Sequence, residues 1–213
     1  MPTATELTTD DGVALAAELE VPADPVAAAV LLHPHPLMGG DMRTPVPDHL
    51  FRALPDHGVA VLRFDFRGAG RSGGTHAGGT AEAGDVRAAI DALAAAAPGL
   101  PIWLVGWSFG ADVSTQVTDP RVAGWVLVAP PLSSVPSDAM AAATDPRPTL
   151  LLVPRHDQFL DPDAAAGRTA GWSATTVQVV PGVDHFLAGR LGTVTDAVLS
   201  ALLGGAARQD LWS

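Results

Sequence analysis

Ser108, Asp157 and His185 stand far apart in a chain of 213 residues, yet their types and flanking sequences suit nucleophilic acyl chemistry. Ser108 is the centre of Gly106-Trp107-Ser108-Phe109-Gly110, a Gly-x-Ser-x-Gly pattern. An apolar run at 102–105 precedes it and a plausible helix at 109–117 follows. A strand that turns sharply into a helix throws the middle side chain clear of the sheet, and small residues on either side let the backbone bend that tightly. The helix start also leaves free backbone N–H groups beside the serine. Taken alone, the pattern also fits an ordinary glycine-rich turn.

A serine hydroxyl is a weak nucleophile at neutral pH and needs a base. His185 lies in Gly182-Val183-Asp184-His185-Phe186, just past the last apolar run, and Asp157 in Arg155-His156-Asp157-Gln158-Phe159, just past the run before. Each candidate therefore follows the carboxyl end of an expected strand, the edge where open α/β sheets place their ligands. In this reading His185 takes the Ser108 proton and returns it to the leaving group, while Asp157 holds the imidazole in the right tautomer. Asp161 and Asp184 are rival acids. The developing oxyanion needs N–H donors. Phe109, next after the serine, supplies one. In the His33-Pro34-His35-Pro36-Leu37-Met38-Gly39-Gly40 loop neither proline can donate, and among the remaining N–H groups the His35 backbone is taken as the second donor.

The elements that must hold these residues are visible as short apolar runs bounded by Gly or Pro, at 30–32, 59–66, 102–105, 122–128, 149–153 and 175–180. Such runs describe strands buried on both faces of a parallel sheet. Helix candidates lie between them at 44–57, 80–97 (with Thr80 as cap), 109–117, 162–170 and 192–203, giving an alternating α/β order. The start differs. Residues 6–9 and 13–19 flank Asp10-Asp11-Gly12, which suggests an antiparallel hairpin. With no repeat or low-complexity linker, the reading is one domain over 1–213.

Composition removes several function classes. Lys and Arg number 12 against 23 Asp and Glu, for a net charge of −11, so the clustered cations that nucleic acid or an anionic membrane would require are missing. There is no cysteine, hence no disulfide, zinc–thiolate site or cysteine nucleophile. Residues 1–9 have neither the cationic nor the apolar part of a secretion signal, and no apolar run is long enough to span a bilayer, so a cytoplasmic location is expected.

Taken together, His33-Pro34-His35-Pro36 with Gly39-Gly40, Phe64-Asp65-Phe66-Arg67-Gly68-Ala69-Gly70-Arg71-Ser72, the Ser108 pentapeptide, Asp157 and His185 resemble the α/β-hydrolase superfamily, in particular a bacterial branch of small lidless hydrolases with an HPHP loop. The similarity spans nearly the whole chain. It implies a mostly parallel sheet of about eight strands with helices on both faces, and a nucleophile, acid and histidine carried on loops.

Two other patterns carry less. Gly68-Ala69-Gly70-Arg71-Ser72-Gly73 fits the dinucleotide fingerprint Gly-x-Gly-x-x-Gly, but more loop follows where a helix should open, so no cofactor is expected. Arg67 or Arg71 pairing with Asp65 would brace that loop. His33, His35 and His49 lack a carboxylate cluster beside them, so no metal is expected.

The connection at 129–147 is short and rich in Pro, Ser and Ala, with room for one small helix and none for a lid. An open site walled by Leu37, Met38, Trp107, Leu132, Phe159 and Phe186 then favours small or medium carboxylic esters or thioesters as substrates. An acyltransferase with the same triad, or a silent binding protein on the same fold, are the alternatives. Oligomeric state is not written in the sequence.

Overall fold

The computed structural model describes residues 2–204. Eight strands form one sheet, β1 (Thr3–Thr8), β2 (Ala14–Glu20), β3 (Ala27–Leu32), β4 (Val59–Phe64), β5 (Ile102–Trp107), β6 (Val122–Val128), β7 (Thr149–Pro154) and β8 (Thr175–Val180). Their order across the sheet is β1-β2-β4-β3-β5-β6-β7-β8. β1 and β2 form the antiparallel hairpin, β2 pairs antiparallel with β4, and every later pairing is parallel. The hairpin turn is the three-residue kind, with Gly12 at φ 81°, a left-handed position that suits glycine.

The helices are α1 (Pro45–Ala53), α2 (Glu82–Ala96), α3 (Phe109–Ser114), α4 (Pro162–Thr169) and α5 (Leu191–Leu203). They cover both faces because each central strand is apolar on both. In β3, Val30 and Leu32 pack with Val86 and Ile90 of α2 and Val113 of α3, while Ala29 and Leu31 pack with Leu50 of α1 and Val198 of α5. Strand alternation thus feeds two cores from one run of residues. β8 departs from the sequence expectation: it is a sheet edge and alternates between exposed and half-covered positions up to the buried Val180.

Two local expectations are corrected. Helix α2 begins at Glu82 with no side-chain cap from Thr80; the Glu82 carboxylate instead reaches back to the N–H groups of Ala77 and Gly79. Helix α3 is short, and past Ser114 its last turn tightens into i→i+3 bonds, as helix ends often do. The β6–β7 connection carries two short 3₁₀ turns, Ser137–Ala139 and Ala141–Thr144, and no lid. No helix among the described residues is long and apolar enough to cross a membrane.

Candidate active site

Ser108 sits between β5 and α3 with φ 56° and ψ −121°, a strained geometry for a residue with a side chain. The flanking glycines explain how the turn closes. A Cβ on Gly106 would lie 2.5 Å from the Ala111 nitrogen, and one on Gly110 2.6 Å from the His33 carbonyl oxygen and 2.7 Å from that of Leu32. Backbone occupies the space on both sides, so only glycine lets α3 pack this tightly against β3 and β5.

The three side chains singled out in the sequence converge. His185 Nε2 lies 2.9 Å from Ser108 Oγ, and His185 Nδ1 lies 2.9 Å from Asp157 Oδ2. The other carboxylate oxygen of Asp157 accepts from the N–H of Phe159 at 2.8 Å and of Leu160 at 3.4 Å, which fixes the carboxylate plane. Asp157 and His185 are both buried. Trp107 Nε1 donates to the His185 carbonyl oxygen, and the Phe159 ring meets the imidazole edge-on at 4.5 Å. The rival acids are occupied elsewhere: Asp161 caps α4 through the Ala164 N–H, and Asp184 accepts from the Phe186 N–H.

The backbone N–H groups of Phe109 and His35 donate to no protein acceptor among the described residues, and both residues border the space over Ser108. His33 sets the start of that loop. Its Nδ1 lies 2.6 Å from the Pro34 carbonyl oxygen, and its Nε2 accepts from the Phe66 N–H at 2.9 Å. Both nitrogens are thereby used. Burial pushes the His33 pKa down to about 4. The His35 imidazole is also shifted down, by burial first and then by the neighbouring His76.

Two cavities meet at Ser108. One of about 360 Å³ is lined by His185, Trp107, Phe186, Phe159, Met38 and Pro45, among others. The other, of about 330 Å³, is lined by Phe109, Gly78, Pro131, Ser133 and Ser134, and shares His35, Met38 and Phe159 with the first. Four of the six expected wall residues are therefore in place. Leu37 is not: it shares an exposed turn with Met38, but only Met38 borders the two cavities. Leu132 is not, because it is buried in the core on the α2 side of the sheet.

Other expectations resolve differently. Arg67 pairs with Asp85 at 2.7 Å and Asp11 at 2.8 Å, not with Asp65. Asp65 accepts from the backbone N–H groups of Met42 and Arg71, and the glycine-rich loop wraps around it: a Cβ on Gly70 would lie 2.0 Å from Asp65 Oδ2. That contact, not a phosphate, accounts for the glycine there. Sequence reasoning passed over Asp112. It is fully buried on α3 and accepts from the N–H groups of Leu132, Ser133 and Ser134, pinning the wall of the second cavity. Burial pushes its carboxyl up, against the pull of those three donors. An acid in the first turn after the serine was the available signal, but its backbone partners carry no side-chain signature.

A serine on a tight strand–helix turn, a buried histidine–aspartate pair within hydrogen-bond reach of it and a mostly parallel eight-stranded sheet without a lid fit an α/β serine hydrolase. Comparison with known proteins agrees. Residues 39–146 match the family Hydrolase_4, described as serine aminopeptidase, S33. An uncharacterized protein of Rickettsia prowazekii (strain Madrid E) is 31% identical over 168 residues, covering 74% of this chain and 71% of that one. An α/β serine hydrolase homologue from Coxiella burnetii superposes with a TM-score of 0.82 at 28% identity, over 92% of this chain and 95% of the other. A lidless α/β serine hydrolase from Xanthomonas campestris gives 0.82 at 27%, over 94% and 93%. The chain belongs to the Hydrolase_4 family of α/β hydrolases.

Proposed function

We propose that this hydrolase cleaves small to medium carboxylic esters or thioesters through an acyl-enzyme on Ser108. The observation that carries the reading is the unbroken hydrogen-bonded series Ser108–His185–Asp157, with 2.9 Å at each step. Ser108 Oγ attacks the carbonyl carbon while His185 Nε2 takes its proton. The imidazolium is stabilised and kept in register by Asp157. The negative oxygen of the tetrahedral intermediate faces the Phe109 and His35 N–H groups. His185 then protonates the leaving oxygen or sulfur, the acyl-enzyme forms, and water activated by the same histidine releases the acid.

The two cavities divide the substrate. The leaving atom must come within reach of His185, and His185 lines only the first cavity. The alcohol or thiol half therefore occupies the apolar space beside Trp107 and Phe186, and the acyl half the space beside Phe109, Ser133 and Ser134. Among the described residues neither lining contains a carboxylate to receive a peptide's α-ammonium, which favours esters over the aminopeptidase activity in the family's description.

The test is twofold. A fluorophosphonate probe should attach to Ser108 by mass-spectrometric mapping, and a panel of nitrophenyl esters and acyl thioesters should turn over in wild type but not in Ser108→Ala. No adduct at Ser108, or turnover equal in both proteins, would overturn the reading. Adding an alcohol or amine acceptor and analysing products separates hydrolysis from acyl transfer.

A further inference from the structure

Glu82 is fully buried at the start of α2 and touches none of the three triad residues. Its Oε1 accepts from the Ala77 N–H at 2.7 Å and its Oε2 from the Gly79 N–H at 2.9 Å. Gln116, just past α3, donates from Nε2 to the Gly79 carbonyl oxygen at 2.8 Å. Gly79 itself has φ 99°, and a Cβ there would lie 2.7 Å from Val135 Cγ1. The stretch 76–79 is thus held from two sides by groups that hydrolysis does not use.

What this clamp holds is one ring. The His76 side chain is nine-tenths buried, and its Nδ1 lies 2.9 Å from Glu82 Oε1, in charge contact but off the line a hydrogen bond needs. Its imidazole centroid lies 4.7 Å from that of His35 and 5.3 Å from the Phe109 ring, and the His35 and Phe109 rings are 4.9 Å apart. The three rings form a closed triangle. Two of its corners are the residues whose backbone N–H groups are assigned above to the oxyanion. Those corners belong to different segments, His35 to the loop after β3 and Phe109 to the first position of α3, and through their side chains they meet each other and the third ring. A packed side chain fixes its own Cα, and with it the direction of the adjoining N–H.

We propose that His76, seated by Glu82, is a positioning residue for the oxyanion hole, buttressing His35 and Phe109 so that their N–H groups converge on one oxygen. This rests on the assignment of those two donors made above. The oxyanion develops in the transition state and the tetrahedral intermediate and is absent from the bound substrate, so a displaced donor slows the chemical step and leaves ground-state binding alone. Packing requires a flat ring at 76, not an ionisable one.

The experiment compares wild type, His76→Ala and His76→Phe by kcat, KM and inhibition by a trifluoromethyl ketone, which forms a tetrahedral adduct on serine. His76→Ala should lower kcat by about 10- to 100-fold and weaken the ketone in parallel, with KM unchanged within about twofold. His76→Phe should recover to within about threefold of wild type. A raised KM with kcat intact, equal damage in both variants, or wild-type rates in His76→Ala would each overturn the proposal. If His76→Ala does not fold, His76→Leu fills the same space without a flat ring and should show the same loss. Fluorophosphonate labelling of wild type separates the two levels: no adduct at Ser108 removes the parent reading, whereas a normal adduct with an unimpaired His76→Ala removes only the buttress.

Discussion

Asp157 and Asp161 are close neighbours in the chain with unlike partners, and this sets up a discriminating pair of substitutions. Asp157→Asn keeps the shape but cannot hold the His185 Nδ1–H tautomer, so kcat should drop by up to about 10⁴-fold with the fold intact. Asp161→Asn should retain near-normal kcat, since asparagine caps a helix about as well as aspartate. Steady-state kinetics of both variants check this, and a larger loss at Asp161 would reverse the assignment. His33 offers a second case. Its neutral Nε2 must accept the Phe66 N–H, and burial lowers its pKa to about 4 from the ordinary 6.5. Above that ordinary value both the folded and unfolded chains are neutral there, and this contribution is fully present. On acidification the unfolded chain takes up the proton first. Stability should therefore fall between about pH 6.5 and 4, by on the order of 3 kcal/mol from this group. Urea unfolding across that range should show a flatter dependence in His33→Gln, whose amide oxygen can accept the same N–H without titrating.

Helix α3 and strand β3 approach so closely that one methyl group is too many. Gly110→Ala would push Cβ to 2.6 Å from the His33 carbonyl oxygen, against backbone that cannot swing aside. The expected cost is about 1–3 kcal/mol or more, together with lost activity, because Ser108 rides on the same turn. Gly167→Ala in α4 is the control. A Cβ there meets nothing within 4 Å, and alanine should add about 0.5–1 kcal/mol by helix propensity. Thermal melts of the two variants should move in opposite directions. The same elements show what a sequence reveals. Runs such as 122–128 and 175–180 coincide with β6 and β8, because a strand's apolar content and its Gly or Pro ends are local properties. The ends of α2 and α3 were misjudged because they depend on Glu82 reaching back to Ala77 and Gly79, and on tightening beyond Ser114. Those are contacts of loop backbone, which has the same chemistry in every residue.

For the molecule as a whole, the alternating order of elements made the α/β class legible, and the Asp-Gly turn made the leading hairpin legible. The position of β4 between β2 and β3 was not, since the order of strands is decided by how crossovers pack in three dimensions. The convergence of Ser108, His185 and Asp157 could be read because motif, chain order and strand ends all coincide. The cavity walls were read only in part: Leu37 and Leu132 differ from Met38 and Phe159 in orientation, which apolar character does not encode. Across the mouth, Phe159 and Phe186 remain more than half exposed on a protein of net charge −11.

The connection leaving β6 is bolted to α3 within its first few residues, where Asp112 takes three consecutive N–H groups ending at Ser134. The connection meets α3 a second time further on, where the Ala142 N–H donates to the Thr115 carbonyl oxygen at 2.9 Å. A foreign cap spliced in after Ser134 would therefore hang between two fixed points on one short helix, which makes this the natural grafting point for re-engineering selectivity on a bare scaffold.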